Sequence, residues 1–137
     1  FDQNIQGYLF LCTNQTQKEC FQKKLFGLTA NIGAGLSNKH RDAAFFYNID
    51  SKTLFGPFRA ASEGKWNIDP TAWENVRPLI FPAQVSVHWD RLHEIKTAYK
   101  KWKFLKDGNL CKLTLEQTNA LKDALEEASP YDPNISQ

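Results

Sequence analysis

Hydrophobic and polar positions alternate along this chain in short stretches, and the stretches predict strands more often than helices. Ile5 to Cys12 (IQGYLFLC) is uncharged and rich in aromatic and aliphatic residues, the pattern of a strand covered on both faces, and it predicts a central first strand. Thr16-x-x-Glu19 then has the form of a capping box. A helix is expected from there to about Leu25, burying Cys20, Phe21 and Leu25, with Gly27 ending it. Residues 27–41 hold three glycines and no sustained period, so they read as an exposed loop in which His40 is solvated. Asp42 to Ile49 predicts a second strand, Asp50-Ser51-Lys52 a turn, and Thr53 to Ala61 the antiparallel return strand, with Pro57 marking an edge or a bulge.

From Ser62 to Leu79 the chain is rich in turn residues yet carries Trp66, Ile68, Trp73 and Val76, which a solvated loop does not need. Asp69 as an N-cap before Pro70 predicts one short helical turn carrying Trp73. Ile80 to Trp89 alternates around Val85 and Val87 and reads as a strand, Leu92 to Tyr99 as a short helix. Trp102–Leu105 and Leu110–Leu115 read as a last hairpin across Asp107-Gly108-Asn109. The final helix opens with the capping box Thr114-x-x-Gln117 and shows Leu121, Ala124, Leu125 and Ala128 on one face. Ser129 to Gln137 reads as a loosely held tail. The fold class expected is α+β: a small, curved, mostly antiparallel sheet, barrel-like in outline, with one helix after the first strand and one at the C-terminal end.

At 137 residues the chain has the size of one domain, with its core expected between about residues 5 and 128. An apolar fraction of 42% can fill a single core, and no run approaches the roughly 20 apolar residues that cross a bilayer. The chain lacks methionine and opens without the basic and apolar regions of a signal peptide, so it reads as a processed or excised segment. Three cysteines, Cys12, Cys20 and Cys111, in no CxxC spacing supply neither a paired disulfide framework nor a four-ligand zinc site. Free thiols and an intracellular location, cytoplasmic or nuclear, are expected. The net charge of +2 is unevenly spread. Arg91 to Lys112 holds seven basic residues against Glu94 and Asp107, while the last helix and tail are acidic. Lys100, Lys101 and Lys103 within that run are candidate phosphate contacts, and a solvated basic face is the plainer alternative.

Catalytic patterns are weak. His88, His93 and Cys111 lack an orienting third group in the sequence, there is no phosphate-binding Gly-rich loop, HExxH or GxSxG, and the turn carboxylates Asp50, Glu63, Asp69 and Glu74 suit capping and solubility. No cofactor, metal or enzymatic activity is expected.

Five stretches together resemble the plant development and cell death (DCD) domain family: GYLFLCTNQT followed by KKLFGL, DAAFFYN, LFGPFRAASEGKWNIDPTAW, and FPAQV. The match covers about residues 5 to 126. It departs from the family pattern at Thr29, where a proline follows FGL, and in FFYN in place of LFLY. The resemblance implies a fold similar to the PUA, EVE and YTH group, several of whose members bind RNA or modified bases in an aromatic-lined pocket. In the YTH type a strand-to-helix junction, the segment after the first helix and a Trp-bearing loop surround the base. Carried over, these places are Thr13 and Asn14; Phe26, Gly27 and Leu28; and Trp66, Asn67 and Trp73.

Such a site is chemically sensible, because a base stacks on any aromatic face and its edge needs a donor and an acceptor. Trp66 or Trp73 supplies the face, Asn14 or Asn67 the edge contact. Core packing is the competing role for each tryptophan, and helix capping for Asn14. Trp89 is expected in the core and Trp102 at the surface. The function expected is a binding module for single-stranded RNA or a modified nucleotide, with a protein-interaction module in stress or cell-death signalling as the alternative.

Overall fold

The computed structural model describes residues 6–28, 42–60, 65–66, 83–106 and 112–132. They form β1 (Gly7–Cys12), α1 (Gln17–Lys23), β2 (Leu25–Leu28), β3 (Ala43–Asn48), β4 (Thr53–Ala60), β5 (Lys65–Trp66), β6 (Ala83–His88), β7 (His93–Lys96), α2 (Leu115–Glu126) and β8 (Ser129–Pro130). Short 3-10 turns at Ala98–Lys100 and Lys103–Lys106 precede α2. The fold is α+β, as expected. One sheet follows the path β1-β3-β4-β6-β2, with β5 beside β6, β7 beside β4 and β8 beside β7. Among the described strand pairs only β1–β3 is parallel. The sheet is curved enough to bring the two ends of its path together, since Phe10 on β1 and Phe26 on β2 have ring centroids 5.4 Å apart.

β1 is covered on both faces but stands at the end of the path rather than at its centre. Its outer edge is closed by an irregular partner, in which Leu113 N donates to Gly7 O at 3.0 Å and Gln6 Nε2 to Leu113 O at 2.7 Å. Alternate side chains of β1, β3 and β4 feed two cores. Tyr8, Phe10, Phe46, Phe55 and Phe58 join α1, β2 and β6 in one. Leu9, Phe45, Tyr47 and Leu54 join Leu105, Leu121 and Leu125 in the other, beneath α2 and the 3-10 turns. Two-sided burial is why these strands read as almost unbroken apolar runs.

The capping box expected at Thr16 does not form. Thr13 O accepts from Thr16 N and Gln17 N, while the Thr16 hydroxyl accepts from Thr13 N at 3.0 Å and Glu19 pairs with Lys23 at 3.5 Å. The helix ends at Lys24, which turns left-handed with φ 52°, one turn earlier than Gly27. The chain then pairs with β6 as β2, which buries Phe26 completely. At the C-terminal helix the capping box does form: Gln117 N donates to Thr114 Oγ1 at 3.0 Å and Thr114 N to Gln117 Oε1 at 2.9 Å. Leu121 and Leu125 are buried on its inner face, as the pattern predicts.

β4 organises the sheet. β3 covers one edge, while β7 pairs with Thr53–Gly56 and β6 with Arg59–Ala60 on the other. The bulge expected at Pro57 is present: Ala44 faces Phe58 and Phe46 faces Phe55, so β4 carries one extra residue. The edge position is not, because Pro57, which has no N–H to offer, sits between its two partners on a paired strand. Gly56 at φ 155° takes a backbone angle that other residues avoid.

Three further expectations fail in favour of sheet pairing. Leu92 to Tyr99 forms β7 and a 3-10 turn instead of a helix, because the Thr53–Gly56 edge of β4 takes up the segment. Trp102 to Leu105 is not a hairpin strand: Lys103–Lys106 is a 3-10 turn, and Lys112 makes an isolated bridge to Tyr8. Residues 129–132 are docked rather than loose, with β8 on β7, Tyr131 N donating to Leu92 O at 2.9 Å, and the Tyr131 ring 4.6 Å from Phe55. The short helical turn expected to carry Trp73, and His40, lie outside the described residues.

Candidate functional site

Thr13 and Asn14 leave the end of β1 as the first residues of a turn, and a buried amide holds them there. Asn48, at the end of β3, is only 1% exposed, so its amide must find protein partners. Its Nδ2 donates to Asn14 Oδ1 at 3.0 Å and to Gln17 Oε1 at 2.7 Å, while its Oδ1 accepts from Asp50 N at 2.8 Å and Ser51 N at 3.0 Å. Asp50 Oδ2 in turn accepts from Asn14 N at 2.9 Å. Asn14 therefore ties the strand-to-helix junction to the β3–β4 turn and does not cap α1. Gln17 Nε2 extends the network to the Tyr131 hydroxyl at 3.4 Å. Sequence reading missed Asn48, although a lone amide ending a wholly apolar strand was a usable signal.

The second and third segments meet across β6. Gly27 is paired with Gln84 and Leu28 with Ala83, and on the other side of β6 Lys65 is paired with Gln84 and Trp66 with Ala83. Leu28, Ala83 and Trp66 thus form one row across three strands, spaced by roughly 4.8 Å per strand. Gln84, in the neighbouring row between Gly27 and Lys65, is 2% exposed. Phe26 does not belong to an open site. It is 0% exposed, and its ring is stacked on Phe46 at 4.3 Å and edge-on to Phe58 at 4.8 Å. Asn67 and Trp73 lie outside the described residues.

Lys100, Lys101 and Lys103 lie on the two 3-10 turns that pack on the second core, exposed to solvent. The Lys101 ammonium stands 5.0 Å over the Trp102 ring, so Trp102 is half-buried and stacked as expected of a surface residue.

A cleft lies where the chain leaves the sheet between β6 and β7. Its volume is about 620 Å³, and it is walled by the Trp89–His93 stretch on one side and Pro130–Asp132 on the other. A smaller crease of about 80 Å³, reaching Pro57, Arg59 and His88, adjoins it, and Trp89 borders both. Trp89 packs edge-on against Phe21 and Phe58, with Lys24 Nζ 5.4 Å above its ring. It is half-buried on the edge of the first core rather than inside it. His93 Nδ1 lies 3.0 Å from Ala128 O, which can only accept, so Nδ1 carries a proton, and Nε2 is an acceptor whenever the ring is neutral.

Cys12 and Cys20 are free and buried, and burial, followed by the charges of Cys20 and Asp50, pushes the Cys12 thiol well above its ordinary range. Cys111 lies outside the described residues. Among the described residues no group of three His, Cys, Asp or Glu side chains could hold a metal ion, and no helix is long and apolar enough to cross a membrane.

A family model described as "Development and cell death domain" matches residues 6–123. The chain is 40% identical over 98 residues to the DCD domain-containing protein NRP-A of Glycine max, 63% of this chain and 24% of that protein. It is 39% identical over 98 residues to the B2 protein of Daucus carota, 63% of this chain and 44% of that one. To the DCD domain-containing protein NRP of Arabidopsis thaliana it is 33% identical over 96 residues, 61% and 25% of the two chains. The matched stretch spans from about a quarter to less than half of these relatives. Among solved structures the YTH domain of the Zygosaccharomyces rouxii MRB1 protein, in complex with N6-methyladenosine RNA, matches with a TM-score of 0.64 and 9% identity, covering 93% of this chain and 91% of that one. The likeness is one of fold.

Proposed function

This chain belongs to the development and cell death domain family, and we propose that it is a non-catalytic module that binds single-stranded RNA by holding one base, plain or modified, at the β2–β6–β5 end of its sheet. The observation that carries this is the register across β6, which sets Leu28 and Trp66 on either side of Ala83. Two segments far apart in sequence are thereby neighbours, as a pocket wall requires. The fold neighbour's complex with N6-methyladenosine RNA supports the ligand class. Trp66 and Trp73 supply stacking surface and Asn67 an edge contact, while Lys100, Lys101 and Lys103 contact phosphates farther along the strand without reading sequence. Asn14, held by Asn48 and Asp50 at the β3–β4 turn, stands at the other end of the sheet from this base.

Stacking on an aromatic face contributes about 1–3 kcal/mol per base, a loss of roughly 5- to 150-fold in affinity when removed. Trp66→Ala is therefore expected to melt close to the parent while losing affinity for a single-stranded RNA 9-mer by that factor, and binding should weaken steeply with salt. An unfolded Trp66→Ala variant would return Trp66 to the core. Unchanged RNA affinity, or affinity insensitive to salt, would favour the protein-interaction alternative.

A further inference from the structure

We propose that the cleft between Trp89–His93 and Pro130–Asp132 is a separate site for a nucleotide, with the base against Trp89 and Tyr131 and the phosphate at Arg91. It goes beyond the reading above, because the described residues that line it belong to the β6–β7 connection and to residues 130–132. Its volume of about 620 Å³ lies in the range of small-molecule sites, roughly 300–1,000 Å³, and suits a mononucleotide.

The cleft is built by the fold and does not follow from a mobile loop. β6 and β7 both pair with the same edge of β4, and the four residues between them swing out opposite Pro57. Leu92, 4% exposed, anchors the excursion in the first core, and the two lining segments are joined along one seam, where Tyr131 N donates to Leu92 O, His93 pairs with Pro130 and His93 Nδ1 meets Ala128 O. The lining is amphipathic in a specific way. Trp89 and Tyr131 are half-buried aromatic walls with their inner edges fixed on Phe21. Among the described residues Arg91 is the one arginine of the lining; it is exposed, and no described carboxylate pairs with it. Asp90 and, in the neutral ring, His93 Nε2 are acceptors on the same wall. An arginine for a phosphate, acceptors for ribose hydroxyls and an exocyclic amine, and aromatic surface for the ring together match a nucleotide. A basic peptide would use Asp90 and Asp132 but bring a like charge to Arg91, whereas a nucleotide satisfies Arg91 with its phosphate turned away from those two carboxylates.

The test is a titration of the whole chain with AMP, adenosine, inorganic phosphate and an Arg-Gly-Arg peptide, followed through the Trp89 indole and His93 ring resonances. AMP is expected to shift both saturably and more tightly than adenosine or phosphate. Arg91→Ala should weaken AMP by about tenfold, the effect of a lost charge-assisted contact, and leave adenosine unchanged. Trp66→Ala should leave the AMP shifts at Trp89 as they are, so failure of the RNA reading at Trp66 and failure of this site are separable. No saturable shift, an Arg91→Ala variant that binds AMP as the parent does, tighter binding of the peptide, or loss of the shifts in Trp66→Ala would each overturn the proposal.

Discussion

Replacing Asn48 by alanine tests whether one buried amide sets the geometry of the β1–α1 junction. The side chain makes four hydrogen bonds, two donated by Nδ2 and two accepted by Oδ1. Each contributes about 0.5–1.5 kcal/mol net, which bounds the loss at roughly 2–6 kcal/mol. The lower end applies, because the abandoned partners are not all stranded. Asn14, Asp50 and Ser51 are exposed and can turn to water, leaving Gln17 Oε1, half-buried, as the group that pays the fuller desolvation cost. Asn48→Ala should therefore cost about 2–3 kcal/mol, read as a lower urea midpoint at unchanged slope. Asn14→Ala alone should cost about 0.5–1 kcal/mol and, in the Asn48→Ala background, almost nothing, since the shared bond is already gone. A loss under about 1 kcal/mol for Asn48→Ala, or equal costs of Asn14→Ala in both backgrounds, would refute the network as the organiser of the junction.

Gly7→Ala should destabilise by about 1–3 kcal/mol in the same assay, because a Cβ there meets the Thr118 side chain, at 2.7 Å from Cγ2, and Thr118→Ala should restore part of the loss. A Gly7→Ala variant as stable as the parent would mean that α2 can shift off β1. Cys12 and Cys20, at 4% and 3% exposure, should react with a thiol reagent at neutral pH only as fast as the protein unfolds. Fast native-state labelling of either would contradict the packing of α1 on the sheet.

The fold class was legible because β1, β3 and β4 are buried on both faces and α2 carries its own capping box. Those are local signals that tertiary structure had no reason to override. What failed was local signal in competition with an open sheet edge. The Leu92–Tyr99 segment has a helical pattern, yet the free Thr53–Gly56 edge offers it four paired residues. Leu25 to Leu28 could have continued α1, but pairing with β6 buries Phe26 fully. The same event decides part of the candidate site. Phe26 became core because it sits opposite Val85 in the ladder, whereas Gly27 and Leu28 fall on the two pairs that also hold β5. Asn14 was placed correctly at a junction, but its partner is Asn48, and a contact 34 residues away leaves no mark on local periodicity.

The cleft was illegible for a deeper reason. Ile80 to Trp89 reads as one strand and Leu92 to Tyr99 as a helix, so Trp89 to Leu92 looks like an ordinary connection between unlike elements. Only when both flanking strands are known to share the β4 edge does that connection become an interruption of what would otherwise be continuous pairing. The β4 bulge with its proline explains why the interruption falls there. Pro57 offers no N–H to a partner, and the extra residue displaces the ladder, so a strand running past Phe58 loses registry and the chain departs at Trp89. Departure exposes one side of an indole that the sequence marks as core, and it carries Arg91 out to the solvent beside it. The tail then closes the far wall through Tyr131, whose ring fills the gap against Phe21 and Phe55. A cleft has thus been made from a strand defect, a tryptophan at the core's edge and a terminal segment, three features that each read as ordinary until the register joins them.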